Sequence, residues 1–485
     1  MLFSASALAD NTYKVHNIDV GQGSATLVQT VGGKNILFDT GWDFAGERLT
    51  GYLKKIGVKK LDALVISHRH MDHIGGVQKL SEKVPVDKVI GPWGKDGIPK
   101  SAMVHLAHLK RDMGKANGPS NRPLYETATT GKVFDLGGGF VMETLWPRKN
   151  ASGKAIGDFN EESVTMRVIQ KAPKGGAAAT FLVGGDLGVQ EERWLARRMP
   201  GKLKVDWMVA NHHGSRGSSQ REYMVAADGG YSRFLKALIA GPERADPKVY
   251  ETALKLKDKS KGKYASKLLH NIDPLAHNKV PIKAKWLNKL AKDVRAINDA
   301  DPQMKGRFAV FSVGPNSYGH PNAIRLAESQ LAGFTPITTW ANGTVVMERE
   351  LGANGKWKAD WKPKAVSSRD LPTVKAPKWL GQVDPERPYN NDRREANTHW
   401  QKNNPQAEVK WADAWDTSMT WRTQSRELSK GRKDWVEDYV KTKKQAHDGT
   451  KDGKKPGSEE AKKKAIAAGK RKLKKMQYPK KSEWH

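Results

Sequence analysis

The stretch 64–76, LVISHRHMDHIGG, constrains this chain more than any other. An apolar run from Leu61 to Ile66 leads into it. The run hardly alternates, which predicts a strand buried on both faces. His68 and His70 sit two apart, so at a strand end both side chains point the same way. Asp72 and His73 follow in a turn, and 74–80 is expected to be helical. Three imidazoles and one carboxylate within six residues form a donor set suited to Zn²⁺ or Mn²⁺. The chain has no cysteine, which excludes a thiolate site. Chance clustering among 14 histidines is the bland alternative. It leaves unexplained both the buried strand before the cluster and Gly75-Gly76 after it.

The same design recurs: an apolar strand, then polar residues at its end. In 35–41, NILFDTG, Asp39 either faces a site or caps the turn. In 179–187, ATFLVGGDL, Asp186 precedes a predicted helix over 189–198. It is a metal ligand or a helix N-cap, and beside the first motif the metal reading is preferred. In 205–215, VDWMVANHHGS, at least one of His212 and His213 should face the metals, with His213 favoured. Ser215 binds a phosphate oxygen or closes the turn. Residues 13–30 read as two strands joined by a Gly-rich turn. A strand is expected at 308–313, a helix over 323–332, and a closing hairpin of 337–340 and 344–347 around Asn342-Gly343.

HRHMDH resembles the metal-binding motif of the metallo-β-lactamase fold superfamily. Together, IDVGQGS, ILFDTG, ISHRHMDHIGG, HHGS and SVGPNSYGHP look like the metallo-hydrolase domain of the competence protein ComEC and its free-standing relatives. The resemblance covers roughly residues 13 to 350. It implies an α/β fold, a four-layer αββα sandwich, and a metal-dependent hydrolase with one or two divalent ions. His68 and His70 would hold one metal. Asp72 and His73 would hold a second, with Asp72 close to the attacking water. Asp186 would bridge the two. Asp39 would support the metal loop through hydrogen bonds behind the ligands. Ser24 stands where the family usually carries Asp. Asn160 and Ser163 match an Asn-x-x-Ser pattern where many superfamily members place a histidine. The first site is then weaker, or draws a ligand from elsewhere. His320, held at a turn by Pro321, is a metal ligand, a phosphate-binding group or a proton donor.

At 485 residues the chain holds one large domain with appendages, or two to three domains. The hydrolase domain is expected over 10–350. Residues 217–305 read as a Lys-rich inserted helical lobe, with helical patterns at 250–257 and 284–298; it clamps substrate backbone or merely decorates. Residues 81–155 read as strands and loops of the first half of the sandwich; within them the polar stretch 97–125, with a basic helix near 102–114, lines a cleft or is an ordinary surface insertion. Residues 351–485 read as a basic extension, partly disordered. Its last part, 450–485, holds 13 Lys or Arg against four acids. Trp379, Trp400, Trp411, Trp415, Trp421 and Trp435 either stack bases among the cations or build a small helical subdomain. Residues 1–9 end in an A-x-A pattern before Asp10. They fit the tail of a signal peptide, hence a periplasmic or secreted protein, or a short leader on a cytoplasmic one. No apolar run approaches the ~18 residues of a membrane-spanning helix.

Net charge is +32 with a pI near 9.9. That predicts a polyanionic partner, most often nucleic acid, although a solvated basic surface has the same composition. The expected activity is hydrolysis of a phosphodiester by a metal-activated water, that is, a nuclease acting on DNA or RNA. The rivals are a hydrolase of small esters, lactones or lactams, and a non-catalytic nucleic-acid binder with a degenerate site. Oligomeric state is not legible.

Overall fold

The computed structural model describes residues 11–92, 124–148, 160–215, 217–259, 294–301, 306–358 and 361–374, leaving out the single positions 295, 315, 317, 319 and 369. The leader at 1–9, the basic helix expected at 102–114, most of that expected at 284–298, and the Trp-containing tail from 379 lie outside these residues.

The strands in chain order are β1 (Thr12–Asn17), β2 (Thr26–Gln29), β3 (Asn35–Phe38), β4 (Ala63–Val65), β5 (Lys88–Gly91), β6 (Leu124–Thr127), β7 (Val133–Asp135), β8 (Phe140–Trp146), β9 (Thr165–Gln170), β10 (Ala179–Val183), β11 (Trp207–Val209), β12 (Phe308–Phe311), β13 (Thr335–Thr338), β14 (Thr344–Glu350) and β15 (Lys362–Val366). They form two mixed sheets. The first has the order β15-β14-β1-β2-β3-β4-β5-β6, the second β13-β12-β11-β10-β9-β8-β7.

Strand residues alternate between cores, as a period of two requires. In β3, Ile36 and Phe38 face the space between the sheets while Leu37 faces outward. In β4, Ala63 and Val65 point inward and Leu64 outward. On the second sheet, Phe181, Trp207 and Val310 point inward while Leu182, Met208 and Phe311 point outward. Both faces of each central strand are therefore buried, which is why Leu61 to Ile66 hardly alternates. Phe181 and Trp207, side by side on β10 and β11, stack on the inner face of the second sheet with ring centroids 4.7 Å apart.

The outer core of the first sheet is closed by the helices Gly46–Lys55 and Val77–Lys83, through Leu49, Leu53, Val77 and Leu80. That of the second is closed by the helices Val189–Arg198, Arg221–Ala227, Arg233–Ala240 and Ala323–Leu331. The layers are helix, sheet, sheet, helix, as expected. Residues of the 217–305 lobe, including Tyr223, Leu235, Val294 and Ile297, share this last core with Leu326 and Phe334.

Four local expectations are corrected. First, β7 and β8 belong to the second sheet, although 81–155 is expected in the first half; β8 pairs antiparallel with β9. Second, 337–347 is not a hairpin. The Thr338 hydroxyl accepts from the Ala341 N–H at 3.2 Å and starts the one-turn helix Thr339–Asn342, which Gly343 ends at φ 72°. The chain thereby crosses from β13, paired with β12, to β14, paired with β1. Third, Asp72 and His73 lie on the short helix Met71–Ile74. Fourth, the first sheet continues past residue 350, where β15 pairs with β14. Among the described residues, no helix is long and apolar enough to cross a membrane.

Candidate metal centre

The donors stand where strands end. His68 and His70 follow β4, Asp186 follows β10 and His213 follows β11. Two sets of donor atoms lie mutually within 4.8 Å: Asp72, His73, Asp186 and His213 in one, His68, His70 and Asp186 in the other. Asp186 belongs to both, and its two oxygens divide between them. Oδ1 is 3.0 Å from His73 Nε2 and 3.5 Å from His213 Nε2. Oδ2 is 3.8 Å from His68 Nε2 and 3.4 Å from His212 Nε2. The Asp72 carboxylate closes the second set, 3.3 Å from His213 Nε2.

Three of the imidazole ligands are aimed by a partner behind them. Asp39, at the end of β3, accepts from the Ser67 N–H and Oγ–H, both at 2.7 Å, and its Oδ2 is 2.7 Å from His73 Nδ1. Ser67 Oγ is also 3.0 Å from His68 Nδ1. The His213 Nδ1–H donates to the Ser312 carbonyl at 2.7 Å, which fixes the ring with Nε2 toward the other donors. The Asp186 N–H donates to Ser163 Oγ at 3.0 Å. Asp186 does not cap the following helix, whose N-cap is Gly188 with no side-chain capping bond. The metal loop also needs Gly75-Gly76. A Cβ at Gly75 would meet Asp43 N at 2.5 Å, and one at Gly76 would meet Thr40 O at 2.3 Å.

Electrostatics couples these groups. Burial works against a charge on His73, yet Asp186, Asp39 and Asp72 outweigh it and raise its pKa well above the usual value. Burial alone would raise Asp186, but His212, His73 and His213 hold it well below the carboxylate range. Asp72 is likewise lowered, against its burial, by His73 and His213. His68 goes the other way: burial, then the charge on His73, keep it neutral. Two carboxylates thus stay ionised in a buried site, which demands a compensating positive charge.

The donors fit a divalent cation. Ring nitrogens face one another at 3.0 Å between His68 Nε2 and His70 Nδ1, and at 3.2 Å between His73 Nε2 and His213 Nε2. Each such pair can share at most one proton, or a metal. Asp186 Oδ1 is buried and makes no hydrogen bond of acceptable geometry despite the nearby His73 ring.

Of the other residues expected at the site, His212 approaches Asp186 but falls outside both sets. His320 also lies outside them, though its ring stacks on Tyr318 at 5.7 Å and on His213 at 6.5 Å. Burial, then His212 and His213, push its pKa down to about 3. The Ser215 N–H donates to the His212 carbonyl at 2.7 Å, so Ser215 closes the turn. Asn160 is half-buried, and its carbonyl accepts from the Ser163 N–H at 3.0 Å. Sequence reasoning missed Ser67 and Asn316. Asn316 is buried; its side chain donates to the carbonyls of Gly314 and His320 and accepts from the N–H groups of Tyr318 and His320. Their only sequence signals are position: Ser67 precedes His68, and Asn316 lies in SVGPNSYGHP. His212 and His213 adopt φ of 49° and 53°, a conformation costing on the order of 1–3 kcal/mol per residue without Gly.

Fold and site together define a metal-binding hydrolase of the metallo-β-lactamase superfamily, whose sequence model matches residues 18–153. Within that superfamily the chain is similar in sequence to competence proteins. It is 29% identical over 233 residues to Competence protein ComA of Neisseria gonorrhoeae, covering 47% of this chain and 28% of that protein. It is 26% identical over 228 residues to ComE operon protein 3 of Bacillus subtilis, covering 44% and 26%. It is 36% identical over 94 residues to Recombination protein 2 of Haemophilus influenzae, covering 18% and 12%. The chain thus spans less than a third of each of these relatives. The crystal structure of Zn(2+)-bound PqqB from Methylobacterium extorquens aligns with 39% of this chain and 59% of its own, at 13% identity and a TM-score of 0.24.

Proposed function

We propose that this metallo-hydrolase is a phosphodiesterase that cuts nucleic acid. The observation that carries the reading is Asp186, one carboxylate shared by two donor sets. Paired cations suit in-line displacement at phosphorus, where attacking and leaving oxygens both carry charge. The net charge of +32 favours a polyanionic substrate. The names of the relatives, a competence protein and a recombination protein, point the same way.

His68, His70 and Asp186 would hold one ion, Zn²⁺ or Mn²⁺, and Asp72, His73, His213 and Asp186 a second. When bound, such ions lower the pKa of water from about 15.7 toward neutrality and offset charge growing on the phosphoryl oxygens. Asp72, kept ionised by its neighbours, orients the attacking water and accepts its proton. His320, kept neutral, presents an imidazole N–H to the leaving oxygen. Asp39 and Ser67 hold the His68 and His73 rings in place throughout.

The test is digestion of end-labelled single- and double-stranded DNA and RNA, with Mn²⁺ or Zn²⁺ added to EDTA-stripped protein. Parent and Asp72→Ala are compared, with small ester, lactone and lactam substrates alongside. Metal-dependent cutting that Asp72→Ala loses supports the reading. Turnover of a small substrate with intact nucleic acid replaces it with the rival hydrolase.

A further inference from the structure

The loop 211–220 carries His212 and His213 through a backbone that few residues favour. His212, His213 and Gly214 have consecutive positive φ of 49°, 53° and 80°, and Ser219 has 52°. Such a path persists only where the surroundings over-determine it. One side chain binds both ends. Glu192, on the helix Val189–Arg198, is fully buried. Its Oε1 accepts from Asn211 Nδ2 at 2.7 Å, just before the histidines, and from the Ser219 N–H at 2.5 Å, after them. Its Oε2 accepts from the Gln220 N–H at 2.8 Å.

Behind the loop lies a second buried pairing. Arg325 NH1 is 2.7 Å from Glu328 Oε2 and donates to the Ser219 carbonyl at 3.4 Å. Arg221 NH2 donates to Glu328 Oε1 at 3.2 Å. Two arginines and two glutamates thus tie three helices to this loop, with equal numbers of each sign. None of the four enters either donor set. These four side chains lie behind the loop that carries His213.

We propose that Glu192 is a positioning residue for the metal centre: its carboxylate clasps the two ends of the 211–220 loop and so sets His213 against Asp186 and Asp72. The proposal rests on the metal-site reading and not on the identity of the substrate. It differs from a merely structural role in one respect: loosening the clasp weakens metal binding in protein that remains folded.

The experiment titrates EDTA-stripped, full-length parent, Glu192→Gln and Asn211→Ala with Zn²⁺ and, separately, Mn²⁺ by calorimetry. It is run where all are folded, with the metal-free melting temperature measured alongside. A glutamine offers one acceptor oxygen and sets an NH₂ against backbone N–H donors. Asn211→Ala removes a single donor, and carries the test if the glutamine variant does not fold. The expected result is binding of at least one ion about tenfold or more weaker in the variants, as when partners behind metal ligands are lost. Lower melting temperatures with unchanged metal affinity overturn the clasp alone. A parent that binds neither ion overturns both the clasp and the metal-site reading beneath it.

Discussion

His73 Nδ1 lies 2.7 Å from Asp39 Oδ2, so the end of β3 aims a ligand carried by the loop after β4. Asp39 itself sits at φ 58°, outside the usual backbone regions, and is only 1% exposed. It spends both oxygens on the loop: one on the Ser67 N–H, the other shared between Ser67 Oγ and His73.

Replacing Asp39 by Ala therefore frees the His73 ring while leaving every direct ligand in the chain. The expected outcome is a loss of about 10–100-fold in metal affinity, with activity falling in step. Calorimetric titration with Zn²⁺ measures the first, and initial rates at saturating metal the second. Unchanged affinity in Asp39→Ala would show that the ring needs no partner.

His213 and His320 should separate cleanly. His213→Ala removes a donor from the set that holds Asp72 and His73, and elemental analysis should find less bound metal per chain. His320→Ala should keep the parent's metal content and lose roughly 10²–10³-fold in rate, the range for removing one hydrogen-bond donor to a developing oxyanion. Loss of metal in His320→Ala would make it a ligand instead.

Chelation and salt probe substrate and cofactor together. EDTA should abolish hydrolysis, and Mn²⁺ or Zn²⁺ should restore it. For a protein contacting six to ten phosphates, affinity falls by about 10³–10⁵ between 50 and 200 mM salt. Anisotropy of a labelled oligonucleotide reads this directly. A nearly flat salt response would point to a small, uncharged substrate.

Glu192 makes stability depend on pH. Burial pushes its pKa up to about 7, against the pull of Gln220, Asn211, Ser219 and Arg325, from an ordinary 4.5. The folded state therefore holds this proton more tightly than the unfolded chain. The corresponding stability is full below about 4.5 and is lost as pH rises through 7. Metal-free Glu192→Gln lacks that slope. Urea unfolding at pH 5 and pH 8 should show the parent losing on the order of 3 kcal/mol relative to the variant. No difference in slope would mean that the hydrogen bonds keep the carboxylate ionised throughout.

Some of this site was legible before any coordinates. His68, His70, Asp72 and His73 crowd a six-residue window behind an apolar run, and a strand end is the simplest way to present such a cluster. Asp39 and Asp186 were visible because each ends another such run. Glu192 was not, because in VQEERWLARR it looks like one more acid in the first turn of a surface helix. The hairpin expected around Asn342-Gly343 failed for a related reason. A glycine with positive φ ends a short helix as well as it turns a hairpin, and only the separate partners of β13 and β14 decide which.

The residues themselves determined which chemistry is possible. Imidazoles and carboxylates without thiols suit a borderline-hard cation, and a period of two with little polar interruption demands a sheet covered on both faces. Tertiary structure alone decided that Asp186 reaches both donor sets, and that His213, more closely than its neighbour His212, meets Asp72 and His73. Adjacent residues are equivalent in a sequence. They part only when a left-handed stretch of backbone, held by contacts about a hundred positions apart in places, turns one ring inward and leaves the other at the edge.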